Sequence, residues 1–325
     1  MNTNLNVILL NYRTPKFVVD CLASMEHEIR CYEEGRIHVI VVDNNSGDES
    51  CRIISSAIEK NGWNDWVRLI ESSQNVGFAA GNNLGIRSSK ADAYILLNSD
   101  TLIKPGLFVE LTKAMRERPD AGLIAPSMVD QNGRPDISAF RWIRPVGEFF
   151  RASDIGLLTS LLPRYDVIYP IREGDSIAEP DWVGFACVLI RNEVIEQIGY
   201  LDEGFFMYFE DIDYCRRVRN SGWKILYWSS AKIVHFLGGS SGFTSSGGRK
   251  KRAPEYYYIS RSRYFKKYYG QWGLLLANLA WMLGVPLAML KEVMLSRNAG
   301  LRERETLDNW IGFFEKLSKI ENSNL

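Results

Sequence analysis

Carboxylates stand at places in this chain of 325 residues where predicted strands end. Asn98-Ser99-Asp100 directly follows the apolar run Tyr94–Leu97. A carboxylate at the tip of a buried strand is well placed to hold a hard divalent cation, which takes its remaining ligands from phosphate and water. Such a cation would neutralise the charge of a departing diphosphate. The alternative interpretation is a cap for the helix that Pro105 opens.

A second acidic group is Glu210-Asp211-Ile212-Asp213, which follows an aromatic run and precedes three arginines. At the start of a helix, Asp211 could act as a general base that takes a proton from an attacking hydroxyl. The alternative is compensation of the helix dipole by acids that precede bases. The apolar residues beside the acids favour a buried site over an exposed cap.

Two further groups have the character of a ligand-binding edge. Asp43 follows the β-branched run Ile37–Val42 and could bind a ribose or the imide of a uracil or thymine ring, or could only shape a turn. Glycines in Gln74–Asn83 follow a strand and open a helix, which allows a phosphate-bearing ligand to approach the backbone. The loop is neither a Walker loop nor a G-x-G-x-x-G fingerprint, and tight helix–strand packing explains it equally well.

His235 is the one histidine of three that precedes a glycine-rich loop, Gly238–Gly242. It could be a metal ligand or a structural histidine. We expect structural or surface positions for His27 and His38.

Strand and helix signals alternate over the first 125 residues, which predicts βαβ units and a parallel sheet covered on both faces. Ligands bind beyond the carboxyl ends of such strands. Residues 126–180 lose this periodicity and are predicted to form a variable loop region. The predicted α/β order returns with strands at 182–191, 224–228 and 231–234 and a helix over 209–220.

Composition excludes several classes of protein. Hydrophobic residues make up 46% of the chain, so a buried core is expected. Thirty-nine basic and 39 acidic residues give no steering towards nucleic acid. The five cysteines form no C-x-x-C pair, and Met1–Asn6 has no signal-peptide pattern. We therefore expect a reduced protein on the cytoplasmic side.

The C-terminal part has two sections. Residues 248–270 interleave basic and aromatic residues, and Trp272–Leu290 contains no charge. The apolar stretch could lie in the plane of a membrane, form two core helices split at Gly284-Val285-Pro286, or span a bilayer. The tyrosines and lysines before it suit the level of lipid headgroups.

Taken in order, these motifs resemble family 2 glycosyltransferases of the GT-A fold, and in particular the rhamnosyltransferase-like branch of bacterial O-antigen and cell-wall polysaccharide synthesis. The resemblance covers about residues 6–241 and rests on six motifs: Asn11-Tyr12-Arg13, Val42–Ser46, Asn75–Asn83, Leu97–Asp100, Phe206–Asp213 and His235–Ser240.

The resemblance implies a Rossmann-like, mostly parallel sheet flanked by helices, and an inverting transfer from a dTDP- or UDP-sugar. Asp211 and Glu210 would be catalytic, and Asp100 and His235 would hold Mg²⁺ or Mn²⁺. The acceptor, a polyprenyl-diphosphate-linked glycan, would contact Trp182, Gly184 and Asp213. The nucleotide-sugar site would comprise Asn11, Tyr12, Arg13, Asp43, Asn45, Asn75, Gly77, Gly81, Asn82, Asn98, Ser99 and Asp100.

One departure affects the metal site, because Asn98 replaces the first aspartate of the family's D-x-D motif and leaves fewer carboxylates for the cation. We expect a catalytic domain over 1–247, with a nucleotide-sugar half (1–125) and an acceptor half (126–247). Residues 248–325 would form a helical extension that attaches the enzyme to the inner face of the cell membrane. Two alternatives remain, a nucleotide-sugar-binding module without turnover and a sugar nucleotidyltransferase.

Overall fold

The computed structural model describes residues 3–171, 176–236, 252–294 and 305–315. The strands are β1 Leu5–Asn11, β2 Ile37–Asp43, β3 Val67–Glu71, β4 Ala93–Asn98, β5 Thr101–Ile103, β6 Ala121–Val129, β7 Pro135–Asp136, β8 Ala139–Phe140, β9 Ile177–Ala178, β10 Trp182–Val183, β11 Cys187–Arg191 and β12 Lys224–His235. The helices are α1 Pro15–Arg30, α2 Ser50–Asn61, α3 Gly77–Arg87, α4 Leu107–Glu117, α5 Gly147–Ser153, α6 Gly156–Leu161, α7 Asn192–Ile198, α8 Glu210–Asn220, α9 Glu255–Met294 and the short 3-10 helix Pro163–Tyr165.

The main sheet has the order β3-β2-β1-β4-β11-β6-β12-β5. Strands β1 to β4 pair in parallel, β11 runs antiparallel between β4 and β6, and β12 is parallel to β6. The predicted α/β class with a mostly parallel sheet is confirmed. Asn11 lies opposite Asp43, and Leu10 opposite Asn98, so three predicted site segments end at one edge of the sheet.

The core has two layers, one on each face of the sheet. Val7 and Leu9 of β1 pack with α1, α2 and α4, whereas Ile8 packs with α3, α7, α8 and α9. Successive strand side chains point to opposite faces, so one continuous apolar run supplies both layers.

Residues 126–180 contain more structure than their weak periodicity predicted. Strand β6 continues through Pro126 to Val129, and α5 and α6 follow. Because the proposed boundary at 125/126 lies inside β6, the two halves of the catalytic region share one sheet. The proposed boundary at 247/248 lies outside the described residues.

Helix α9 begins in the basic-aromatic segment and is kinked at Gly270, where φ is 68° and ψ is −177°. It continues through Pro286, so the break lies at Gly270 and not at residues 284–286. The tyrosines and lysines of residues 248–270 were expected to suit the level of lipid headgroups, and this is wrong for Tyr258, Tyr264 and Lys266, which are buried. Arg261 and Arg263 are buried as well. Their charges find partners inside the protein, as Arg261 does with Glu148.

Candidate active site

The end of β1 and the turn after β2 form one hydrogen-bonded unit. Asn11 donates from its amide nitrogen to Asp43 Oδ1 (2.6 Å) and to Ser46 Oγ (3.1 Å). The backbone N–H of Ser46 donates to Asp43 Oδ2 at 2.9 Å. Asn11 and Asp43 are buried, so their side chains are held in place before any ligand binds. Ser46 was not predicted as a site residue, although the turn motif contains it.

The next two residues predicted to bind the nucleotide sugar are more exposed to solvent than Asn11 and Asp43. Tyr12 and Arg13 are exposed, and the Arg13 guanidinium lies 5.2 Å from the centre of the Tyr12 ring. Arg13 and Asn45 adopt positive φ values of 59° and 55°, a conformation that few non-glycine residues take. An exposed aromatic ring and a guanidinium beside buried Asp43 are suited to stacking on and binding a nucleotide.

The loop before α3 is held by Asn44, which sequence reasoning did not single out. Its side chain donates to Asn75 Oδ1 (2.9 Å) and to the Gly77 carbonyl (3.1 Å), and accepts from the N–H of Val76. Gly77 has φ 80°, and a Cβ atom there would lie 2.2 Å from the carbonyl oxygen of Phe206. Only glycine fits this approach.

Gly81 and Asn82 have a more structural environment. A Cβ atom on Gly81 would lie 2.6 Å from a Leu10 methyl group, so this glycine allows close packing of α3 on β1. The buried Asn82 amide donates to the Phe78 carbonyl within the helix. Their predicted contact with the nucleotide sugar stays a prediction.

Asp100 and His235 lie side by side because β5 pairs with the end of β12, with Thr101 opposite His235. His235 Nε2 lies 3.7 Å from Asp100 Oδ1, and Nδ1 lies 3.6 Å from Asp136 Oδ2. Ser99 is buried beside Asp100, and its hydroxyl is 3.3 Å from that of Thr14. Asp136 was missed, since nothing in its loosely patterned segment marks it.

The charge balance here favours a cation. Burial lowers the pKa of His235, but the nearby carboxylates of Asp100 and Asp136 outweigh it and raise that pKa to about 9. No group of three or more His, Cys, Asp or Glu side chains converges on one metal position in the described part of the chain. One carboxylate and one imidazole fit a cation that takes its other ligands from a diphosphate and water, and the imidazole must release its proton when the cation binds.

The carboxylates predicted to be catalytic, Glu210 and Asp211, begin α8 directly after Phe209. Burial raises the pKa of Asp211 to about 7, although the N–H of Ile212 donates to its Oδ1 at 2.8 Å. Burial and then the charge of Asp211 raise the pKa of Glu210 well above its usual value. Both pKa values are raised, and Asp211, whose pKa lies near neutrality, is the group that can accept a proton there.

The predicted acceptor residues lie around β8, β10 and α8. Trp182 stacks on Phe140 with ring centroids 4.2 Å apart, and Gly184 leaves room beside the same ring. Asp213 is fully buried and its carboxylate contacts Arg217, Lys267 and Tyr268. Asp213 therefore links α8 to α9, because Arg217 belongs to α8 and Lys267 and Tyr268 belong to α9. Its contact with an acceptor stays a prediction.

Comparison with known proteins agrees with the α/β fold described above. A model of glycosyl transferase family 2 matches residues 6–160. The chain is 29% identical over 239 residues to a low-salt glycan biosynthesis hexosyltransferase of Haloferax volcanii, covering 72% of this chain and 68% of that protein. It is 27% identical over 223 residues to N-acetylglucosaminyl-diphospho-decaprenol L-rhamnosyltransferase of Mycobacterium tuberculosis, covering 64% and 69%.

A mannosyltransferase from Pyrobaculum calidifontis, solved in complex with GDP-Man and Mn²⁺, shares the fold with a TM-score of 0.55 at 13% identity. That likeness covers 100% of this chain and 84% of the other. The architecture is that of the GT-A glycosyltransferases. Residues 6–160 thus resemble glycosyl transferase family 2, and several relatives of the chain are named as rhamnosyltransferases.

Proposed function

We propose that this protein is an inverting glycosyltransferase that moves a sugar, rhamnose in the branch it resembles, from a dTDP- or UDP-sugar to a hydroxyl of a glycan acceptor. The observation that carries this proposal is a contact between two parts of the site. The loop before α3, where the donor would bind (the donor loop), touches the segment that precedes Asp211, the proposed general base. The N–H of Phe78 donates to the Phe206 carbonyl at 2.6 Å, which connects the loop at Gly77 to the segment that leads to Asp211.

In the donor site, Asp43 would accept a hydrogen bond from the pyrimidine or ribose, and the Tyr12 ring would stack on the nucleobase. Asn11 and Ser46 hold the Asp43 carboxylate in one orientation. A carboxylate already held by its neighbours loses little conformational freedom when the nucleotide binds.

Asp100 and His235 would hold the divalent cation, Mg²⁺ or Mn²⁺. When bound, the cation would supply charge neutralisation on the diphosphate. Asp136, next to the other nitrogen of His235, would keep the imidazole oriented towards Asp100.

Asp211 would remove the proton from the acceptor hydroxyl as its oxygen attacks the anomeric carbon opposite the diphosphate. One displacement of this kind inverts the configuration at that carbon. The pKa of about 7 suits a base that works near neutral pH, because it can both lose and accept a proton there.

A thermal-shift screen of nucleotide sugars, each with and without Mg²⁺ or Mn²⁺, tests the donor and the cation together. A ligand at about 100 times its Kd stabilises a protein by about 2.7 kcal/mol. We expect a dTDP- or UDP-sugar to raise the Tm, and the cation to increase that shift in the wild type but not in Asp100→Asn. If no nucleotide sugar changes the Tm, the proposal is wrong.

A lipid-linked acceptor would lie at a membrane, so we propose that the enzyme binds the membrane surface. One described helix, Glu255–Lys291, is long and apolar enough to cross a bilayer, and 50% of its most apolar window is buried. The solvent-exposed face of this helix is uniformly apolar between residues 272 and 290. The exposed residues there are Trp272, Leu276, Leu279, Met282, Leu283, Pro286, Leu287 and Leu290.

The opposite face of this helix packs on the protein, which argues against a span. A Cβ atom on Gly284 would lie 2.5 Å from the Phe149 carbonyl, and buried Asn278 accepts a hydrogen bond from Arg261. A helix with one packed face and one uncharged apolar face suits insertion in the plane of the bilayer surface. This position would place the enzyme where a polyprenyl-diphosphate-linked glycan is presented.

Flotation with anionic phospholipid vesicles tests the membrane surface on the full chain. We expect the double variant Leu276→Glu, Leu283→Glu to lose vesicle binding, because two charges would enter the apolar layer. The control, Ile53→Glu with Val109→Glu, adds the same charges at exposed apolar positions on α2 and α4 and should still float. Equal flotation of both double variants would contradict the proposal.

A further inference from the structure

The segment that leads into α8 has an unusual backbone. Tyr208 and Phe209 both have positive φ values, 68° and 66°. Bulky residues rarely adopt this conformation, which costs about 1 to 3 kcal/mol each. Neighbouring groups must therefore hold the segment, and Asp211 follows it by two residues.

Lys267 of α9 contacts two carboxylates on either side of this segment, Asp202 before it and Asp213 in the first turn of α8. Lys267 Nζ lies 2.6 Å from Asp202 Oδ2 and 2.6 Å from Asp213 Oδ1. Arg263 also contacts Asp202, and the Tyr268 hydroxyl donates to Asp213 Oδ1 at 2.7 Å. Because Asp213 is fully buried and Lys267 is only partly exposed, solvent screens this bridge less than a surface ion pair.

The same part of α9 supports the strained residues directly. The Tyr208 ring stacks on Tyr256 with centroids 6.1 Å apart and meets Tyr257 edge-on at 5.6 Å. Ser260 Oγ donates to the Met207 carbonyl at 3.0 Å. The basic-aromatic segment therefore packs on the entry to α8 over several consecutive residues.

The opposite side of the segment touches the donor loop. Gly77 approaches the Phe206 carbonyl, and Asn83 of α3 donates to the carbonyl of Leu201 at 2.9 Å. A shift of the segment would therefore move Asp211 relative to a donor bound at this loop.

We propose that Lys267 is a positioning residue, which bridges Asp202 and Asp213 and so holds Asp211 at the place where it can deprotonate the acceptor. This inference rests on the proposed function of Asp211. The C-terminal helix would then position the base through Lys267, in addition to the membrane attachment proposed above. A displacement of about 1 Å can lower a rate by about 100-fold.

The chain offers a matched control in the next residue. Lys266 belongs to the same helix and is buried, but its ammonium group donates to the Gly312 carbonyl at 2.6 Å and not to the segment before α8. Lys267→Met and Lys266→Met therefore remove the same charge from adjacent positions. Lys267→Arg keeps a cation that can reach both carboxylates.

Steady-state kinetics on the full chain test the proposal. We expect Lys267→Met to lower kcat by about 100-fold with a donor KM within about threefold of the wild type. Lys267→Arg should recover part of the lost kcat, and Lys266→Met should keep a kcat near that of the wild type. Equal losses of kcat in the two methionine variants would overturn the proposal, since both would then act through stability.

Hydrogen–deuterium exchange gives a second measurement that does not depend on turnover. We expect faster exchange of the amides of residues 203–213 in Lys267→Met but not in Lys266→Met. Unchanged exchange in Lys267→Met would overturn the positioning role, even for an active enzyme. A wild type that transfers no sugar would instead contradict the proposed function, and exchange alone would then decide whether Lys267 holds the segment.

Discussion

Two neighbouring carboxylates begin α8, and their environments separate their acidities. Both are pushed towards the neutral form by burial, but Glu210 also feels the charge of Asp211. Glu210 Oε2 is buried with no hydrogen-bond partner among the described residues, so no hydrogen bond stabilises a charge on that oxygen. The pair can therefore present one ionised carboxylate to an acceptor hydroxyl near neutral pH.

The pH dependence of turnover follows from the raised pKa of Asp211. Its carboxyl group is protonated below about pH 7, and a protonated group cannot accept the acceptor's proton. We expect kcat, measured at saturating donor and acceptor, to fall about tenfold per pH unit below about pH 7. An unshifted aspartate has a pKa of about 3.9, so a kcat that stays constant down to about pH 5 would contradict this assignment.

Most candidate site residues were predicted from local motifs, because a polar residue that follows an apolar strand can be identified from its neighbours in sequence. Asp43 and Asp100 are of this kind. Asp136 and Lys267 are not, since each meets its partners only after the chain has folded back over a long distance. Asn44 and Ser46 lie within a quoted motif, but nothing in the sequence shows which neighbours they bind.

At the level of elements, α3 and its glycines join the donor loop to the segment before α8. Gly77 has both a positive φ and a Phe206 carbonyl where a side chain would be. Gly62, at the end of α2, has a similar φ of 66° but nothing within 4 Å of a Cβ position. The two glycines therefore separate the cost of the backbone conformation from the cost of the collision.

We expect Gly62→Ala to lower the free energy of unfolding by about 1 to 2 kcal/mol, the cost of a left-handed alanine. Gly77→Ala should cost clearly more and should weaken donor binding, because the loop must move away from Phe206. Urea unfolding and donor titration measure the two effects. Equal losses of stability with unchanged donor affinity would show that the contact with Phe206 is unimportant.

The elements were predictable where hydrophobic periodicity was clear. Strands β2 and β4 contain the apolar runs Ile37–Val42 and Tyr94–Leu97, and strands and helices alternate over the first 98 residues as predicted. β5 was missed because a strand of three residues gives no pattern, and the predicted strands at 224–228 and 231–234 are one strand with an irregularity between Trp228 and Lys232. Helix α5 was missed because tertiary packing on α9, not periodicity, buries it.

At the scale of the whole molecule, a buried charged network joins α5 to α9. Arg261 donates to Glu148 Oε2 from Nε (3.0 Å) and from Nη2 (2.8 Å), and Arg151 donates to the same oxygen. Arg261 and Glu148 are buried, so the network is costly to break from one side. We infer that the C-terminal helix and the sheet domain unfold together.

Calorimetry of Arg261→Met tests this cooperativity. We expect a single unfolding transition in the wild type, and a variant destabilised by about 3 to 5 kcal/mol across that whole transition. Arg252→Met is the control, because Arg252 pairs with Asp308 while remaining 57% exposed, so solvent screens the pair and this variant should unfold close to the wild type. Two separate transitions, only one of which shifts in Arg261→Met, would mean that the C-terminal helix folds independently.

The account depends most on Asp211 as the base of sugar transfer, and Asp211→Asn tests it most directly. The amide has nearly the same shape as the carboxylate but cannot accept the acceptor's proton. We predict that kcat for transfer falls by about 100-fold to 10,000-fold while donor Kd, measured by titration, stays within about threefold of the wild type. Near-normal turnover in Asp211→Asn would contradict the account, because another group would then have to remove the proton.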